Sequence, residues 1–190
     1  MVQKLSKLIL RLFGWKLVGQ KPKEAKYITL CAPHTSNFDA LWFFITMKAM
    51  GIKPEVMIKS SYHRFPLRWL FKKIGGIPVE RGFKAKDLAQ QMVAYAESVD
   101  ELALMLAPEG SRSYQKYWKQ GFYQIAEATG LPIYFGFADY AKRELGFGDS
   151  LFKVTGDLPA DMQVVRDFYT GINGRHLDRV GPIRLKRESK

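Results

Sequence analysis

Apolar residues recur along this chain with two alternating periods. Over residues 2–13, Val2, Leu5, Leu8, Ile9, Leu12 and Phe13 follow i, i+3, i+4, i+7 spacing. At about 100° per residue they share one helix face. Lys4, Lys7 and Arg11 fall opposite, Leu10 is out of register, and Gly14 ends the helix before Trp15. Such a helix lies in a membrane interface, packs on a core, or does both with a shared face. Residues 21–26 read as a linker. Short apolar runs predict strands over 27–31, 55–59, 77–80, 102–106, 133–138 and 151–155. Helical spacing predicts helices over 38–50, 64–74, 84–99, 119–129 and 161–169, with Gly51 and Gly130 closing two of them. The segment after Gly181 is expected to fray. The alternation predicts an α/β fold: a single domain with a largely parallel mixed sheet flanked by helices, plus an N-terminal amphipathic helix. The chain divides into a surface helix and linker (1–26), the folded domain (27–174) and a basic C-terminal tail (175–190).

Charge sharpens this picture through its distribution. The net charge is +12 over 190 residues. Residues 1–26 hold seven Lys/Arg against one acid, and residues 175–190 hold six against two, so the body between is nearly neutral. Basic ends suit an anionic surface. A nucleic-acid partner is not expected, because no nucleic-acid motif accompanies the charge. The longest apolar run, 40–47, is far short of the ~20 residues that cross a bilayer. Arg11 interrupts the first apolar segment and no small-residue cleavage site follows it, so no signal peptide is expected. One cysteine, Cys31, permits no internal disulfide, and His34, His63 and His176 are too scattered for a metal site. These features predict a cytoplasmic protein held peripherally at the inner face of a membrane.

Four segments carry candidate chemistry. His34-Thr35-Ser36-Asn37-Phe38-Asp39 lies between a strand and a helix. A histidine there accepts a proton near neutral pH, and a carboxylate beside it fixes its tautomer and stabilises the imidazolium. Ser36 and Asp39 also have the spacing of a helix capping box, a purely structural alternative. Gly75 to Gly82 contains Arg81, whose planar fork suits phosphate. Pro108-Glu109-Gly110-Ser111-Arg112-Ser113 follows a buried strand and offers a glycine, hydroxyls and an arginine for an anion. Leu131-Pro132-Ile133 is a rigid helix-to-strand turn. A serine-hydrolase reading requires a G-x-S-x-G elbow, and the sequence has none.

Order and spacing join these segments. Over about residues 27–140 they resemble the four blocks of the glycerolipid acyltransferase family, which includes the 1-acylglycerol-3-phosphate acyltransferases. His34 and Asp39 match its H-x4-D block. Gly76 and Arg81 match its second block, with Glu80 where aspartate is usual. Residues 108–113 match its P-E-G-T-R-S block with serine for threonine, and Pro132 matches its V-P-I block. Pro33 stands where asparagine is common, and Phe135-Gly136 where a second proline is common.

The resemblance implies an O-acyltransferase of phospholipid biosynthesis, moving a fatty acyl group from acyl-CoA or acyl-carrier protein to a lysophospholipid hydroxyl. His34 and Asp39 would be catalytic. Arg81, Glu109, Gly110, Ser111, Arg112 and Lys59 would form the acceptor and phosphate site. No metal or other cofactor is implied. The partners would be an anionic membrane surface, the lysophospholipid, and acyl-carrier protein if that is the donor. The alternatives within the fold are a different acceptor, such as an amino-acid-derived lyso-lipid, and a non-catalytic membrane-binding relative.

Overall fold

The computed structural model describes residues 1–62, 68–80 and 85–189. Seven strands form one sheet: β1 (Lys16–Val18), β2 (Lys26–Ala32), β3 (Glu55–Lys59), β4 (Gly76–Val79), β5 (Leu102–Leu106), β6 (Ile133–Asp139) and β7 (Glu144–Phe152). Their spatial order is β1-β7-β6-β2-β5-β3-β4. Every neighbouring pair is parallel except the β6–β7 hairpin. The central strands β2 and β5 are buried along nearly their whole length, as expected for parallel strands covered on both faces.

Helices α1 (Val2–Leu12), α2 (Asn37–Ala49), α3 (Arg68–Lys73), α4 (Ala85–Ser98), α5 (Gly121–Thr129) and α6 (Leu158–Tyr169) flank the sheet. The larger core holds Ile28, Leu30 and Leu104 of the sheet against Met92 of α4, Phe122 and Ile125 of α5, and Met162 and Val165 of α6. On the other face, Cys31, Ala138 and Leu145 pack against Leu10 of α1, Trp15, and Trp42 and Phe43 of α2. The single-domain α/β architecture with a largely parallel sheet matches the sequence reading.

The differences have local causes. Strand β1 escapes a pattern search because three residues between Gly14 and Gly19 show no periodicity. Strand β7 starts seven residues before the expected 151, since Gly146, Gly148 and Asp149 weaken the strand signal. Gly146 is needed there: a Cβ on it would run into the Val18 carbonyl of β1. Helix α6 starts one turn early, capped by Asp157, whose carboxylate accepts the Ala160 N–H. The expected helix over 64–74 is seen only as α3, because residues 63–67 lie outside the described residues. The tail does not fray: Trp118 N–H donates to the Arg184 carbonyl at 2.8 Å, and Leu185 is buried in the larger core.

Helix α1 departs from the expectation most instructively. Leu10, out of register with the apolar face, is the residue that packs, 2% exposed, together with buried Ser6. Val2, Leu5, Leu8, Leu12 and Phe13 stay half or more exposed. At about 100° per residue, Ser6 and Leu10 form a narrow strip between the apolar and basic faces. The helix therefore docks on α2 along that strip and leaves the apolar face open. It runs antiparallel to α2, with Gln3 against Gly51 and the Phe13 ring 5.2 Å from Trp42. Among the described residues, no helix is long and apolar enough to cross a membrane.

Candidate active site

In open α/β sheets, functional loops gather at the carboxyl ends of parallel strands. Here the register enforces that. Leu30 of β2 pairs with Leu106 of β5, so the loops carrying His34 and Gly110 leave the sheet side by side. Strands β3 and β4 end at the same edge, with Lys59 opposite Val79. Arg81 follows β4 and lies outside the described residues. Pro132 sits at the other edge: its carbonyl accepts the Ile28 N–H at 2.8 Å, where β6 begins. The fourth segment therefore shapes the sheet and stands apart from His34.

Asp39 is fully buried, and its carboxylate is the hub of the site. Oδ2 accepts the N–H of Thr35 at 2.6 Å and of Ser36 at 2.7 Å, and Oδ1 accepts the Tyr140 hydroxyl at 2.6 Å. His34 Nδ1 stands 3.6 Å from Oδ2. The Ser36 hydroxyl accepts the Phe38 N–H, completing a capping box at the start of α2. The cap and the His–Asp pair thus coexist on one carboxylate. Burial alone would raise the Asp39 carboxyl. The His34 imidazole, the Tyr140 hydroxyl and the two N–H groups outweigh burial and hold it below its ordinary value. It stays ionised, and with Nδ1 turned to it, Nε2 is left for the pocket that His34 lines.

That pocket has a volume of about 420 Å³. Val56, Met57, Met105, Leu106 and Ala107 make an apolar wall, and Gly110, Ser111 and Arg112 make a polar one beside His34. Gly110 has φ +65°, and a Cβ there would press on the Lys119 side chain, so glycine alone fits this turn. Arg112 is exposed at the rim. Lys59 is exposed too and does not line the pocket.

Glu109, expected among the anion-binding residues, is 8% exposed and lies behind the pocket lining. Its Oε1 accepts the His34 backbone N–H at 2.9 Å, and among the described residues Oε2 has no hydrogen-bond partner. The Oε1 bond ties the histidine loop to the 108–113 segment. Burial, the largest influence, pushes the Glu109 carboxyl up to about 7, against opposing hydrogen bonds from its own backbone and from His34. A carboxyl raised on folding favours the protonated native state. Its contribution is therefore favourable at low pH and is lost as pH rises from the ordinary value of 4.5 to about 7. The loss is about 3 kcal/mol at about 1.4 kcal/mol per unit. In urea titrations from pH 5 to 7.5, Glu109→Gln is expected to gain stability relative to wild type as pH rises. Parallel pH curves would disprove the buried ionisation.

Residues outside the four segments complete the site. Thr35 Oγ1 accepts the His176 N–H at 3.2 Å, and the Thr35 carbonyl accepts from Arg179 Nη1 at 3.2 Å. The Arg175 guanidinium lies 4.5 Å above the Phe38 ring. The nominal basic tail thus clamps the histidine loop. Nothing in the sequence marks Tyr140, a tyrosine at an ordinary strand end. Among the described residues, no three His, Cys, Asp or Glu side chains cluster as metal ligands.

Fold and site together define an α/β protein built around a His–Asp pair at the carboxyl edge of its sheet. The family model described as Acyltransferase matches residues 17–134, and the chain belongs to the acyltransferase family. The fold is similar to the crystal structure of the 1-acyl-sn-glycerophosphate (LPA) acyltransferase, PlsC, from Thermotoga maritima, with a TM-score of 0.58 and 15% identity. That likeness covers 92% of this chain and 79% of that one. Among curated proteins, no sequence matches significantly.

Proposed function

We propose that this acyltransferase moves a fatty acyl group from acyl-CoA or acyl-carrier protein to the hydroxyl of a lysophospholipid such as 1-acylglycerol-3-phosphate, in phospholipid biosynthesis. The carrying observation is His34, backed by a buried, ionised Asp39 and opening into a pocket with one apolar and one polar wall. His34 Nε2 takes the proton of the acceptor hydroxyl as its oxygen bonds to the thioester carbonyl carbon. The carbon–sulfur bond then breaks. The leaving thiolate, of ordinary pKa about 8.5, takes the proton back from the imidazolium. No metal or organic cofactor enters this chemistry.

Arg112, with the Gly110-Ser111 turn and Arg81, binds the acceptor phosphate. Lys59 adds positive charge from outside the pocket. Val56, Met57 and Met105 suit an acyl chain. The open apolar face of α1, with Lys and Arg beside it and the basic C-terminal residues, holds the enzyme peripherally on anionic lipid at the cytoplasmic face.

A panel of lyso-lipid acceptors, tried with both donors and read by mass spectrometry, tests this reading. Acylated lysophosphatidate is the expected product. Transfer only to an amino-acid-derived lyso-lipid would replace the acceptor, and no transfer would favour a non-catalytic role. In the same assay, Arg112→Ala is expected to raise the acceptor KM about tenfold or more, since charge-assisted hydrogen bonds contribute about 1.5–3 kcal/mol. An unchanged KM would remove Arg112 from the phosphate site.

A further inference from the structure

The catalytic pair has a third member that none of the four segments contains. Tyr140 lies just past the end of β6, in the turn to β7. Its backbone N–H donates to the Asn173 carbonyl at 2.9 Å. Its hydroxyl donates to Asp39 Oδ1 at 2.6 Å. Its ring meets buried Trp15 edge-on, with centroids 4.9 Å apart and planes at 82°. Trp15 is tied in turn to the end of α1, its backbone N–H donating to the Leu10 carbonyl at 2.8 Å. The phenol is therefore held at its backbone, ring and hydroxyl.

The geometry of Asp39 shows why this matters. Its other donors, Thr35 N–H and Ser36 N–H, both reach Oδ2, the oxygen that faces His34. Both belong to the same loop as His34, so they move with it. Tyr140 supplies the donor to Oδ1 from a different part of the sheet. Removing it frees the carboxylate to turn about its Cβ–Cγ bond, and no other donor to Oδ1 is present among the described residues.

We propose that Tyr140 is a positioning residue for the catalytic pair, fixing the plane and the charge distribution of the Asp39 carboxylate toward His34. This inference rests on the general-base reading of His34. The charged and titratable groups around the pair are Tyr140 after β6, Glu109 after β5, Arg179 on the Thr35 carbonyl, and Arg143 and Arg175, whose charges act on Tyr140. Of these, Glu109 titrates near the working pH, its carboxyl pushed up to about 7. Its contribution is removed by repeating each measurement in a Glu109→Gln background.

Tyr140→Phe keeps the ring against Trp15 and deletes only the hydroxyl. The two N–H groups still hold Oδ2, so the carboxylate keeps more of its charge for His34. The imidazolium then returns its proton to the leaving thiolate less readily, while the unpinned carboxylate plane misaligns Nε2. Expected are a loss of about tenfold in kcat, on the scale of one hydrogen bond to a charged group, unchanged KM for donor and acceptor, and an acid limb of the kcat/KM–pH profile displaced to higher pH. Loss of packing alone would not displace that limb. Wild-type kcat with an unmoved limb would overturn the inference, as would a change confined to KM. Should the phenylalanine variant fold poorly, a ring-fluorinated tyrosine at position 140, a stronger donor, provides the second measurement. It should move the limb to lower pH, and an unmoved limb overturns the inference. His34→Ala, run in parallel, separates the two claims. If it keeps turnover, the general-base reading itself fails. If it is inactive while Tyr140→Phe behaves as wild type, only the role of Tyr140 fails.

Discussion

His34→Ala should lower acyl transfer by about 10²–10⁴, the range that general acid–base catalysis contributes, while leaving the protein folded. The structure makes this the clean variant. The His34 side chain is 17% exposed and faces the pocket, and the loop is held through its backbone by Glu109 and through Thr35 by the 176–179 segment. Deleting the imidazole spares all of those bonds. Asp39→Asn is a composite. It removes the charge partner of His34, and it also sets an amide NH2 against either the Thr35 and Ser36 N–H groups or the Tyr140 hydroxyl. At least one buried donor then lacks an acceptor, at a cost of about 1–3 kcal/mol in stability for each. Activity losses in Asp39→Asn therefore need a parallel unfolding curve. Near-normal turnover in His34→Ala would sink the catalytic assignment.

Changing Leu5, Leu8 and Leu12 together to glutamine should release the protein from anionic vesicles by about a hundredfold. Even about 1 kcal/mol for each apolar side chain sums to about 3 kcal/mol. All three are more than half exposed, so the folded protein loses little by the change, and glutamine is a good helix former. Deleting residues 1–14 is a poorer test. It would also remove Leu10 from the buried cluster it shares with Trp42, Phe43 and Ala49. Phe13 is better left in place, since it leans on Trp42. Wild-type binding should weaken with salt and with neutral lipid, because the flanking Lys and Arg act through screened charge. Undiminished flotation of the triple variant with vesicles would remove the apolar face of α1 from the membrane role. The placement of α1 bears on activity as well. Its last turn lies beside the end of α2 that carries Asp39 and the half-exposed Phe38 and Leu41, which would bring the pocket near the surface that supplies its lipids.

Much of the frame was legible in the chain. The buried runs of β2, β5 and β6 stand out because parallel strands covered on both faces are almost continuously apolar. Helix α5 announced its end with Gly130, which adopts the left-handed conformation there. The β1–β7 edge was not legible, since a three-residue strand and a glycine-containing partner carry too little side-chain pattern. The C-terminal residues were misread because charge count suggests a free tail, whereas Leu185, buried against Trp118 and its neighbours, outweighs it. In α1, the spacing of apolar and basic residues separates two faces. The side that docks on α2 was hidden, because Leu10 and Ser6 form a narrow strip no periodicity rule selects.

For the site, side-chain type and spacing singled out His34, Asp39, Arg81, Glu109, Gly110, Ser111, Arg112 and Lys59 as candidates. They left open whether Asp39 caps a helix or partners a histidine. Only the tertiary structure decided that it does both: a carboxylate has two oxygens, and the His34 loop supplies two N–H donors and an imidazole while Tyr140 arrives from a distant part of the chain. The inward turn of Glu109 and the arrival of Tyr140 at Asp39 were decided there too. Each depends on which strand ends the sheet register brings together, and that is a property of pairing across the chain, invisible in any local stretch of it.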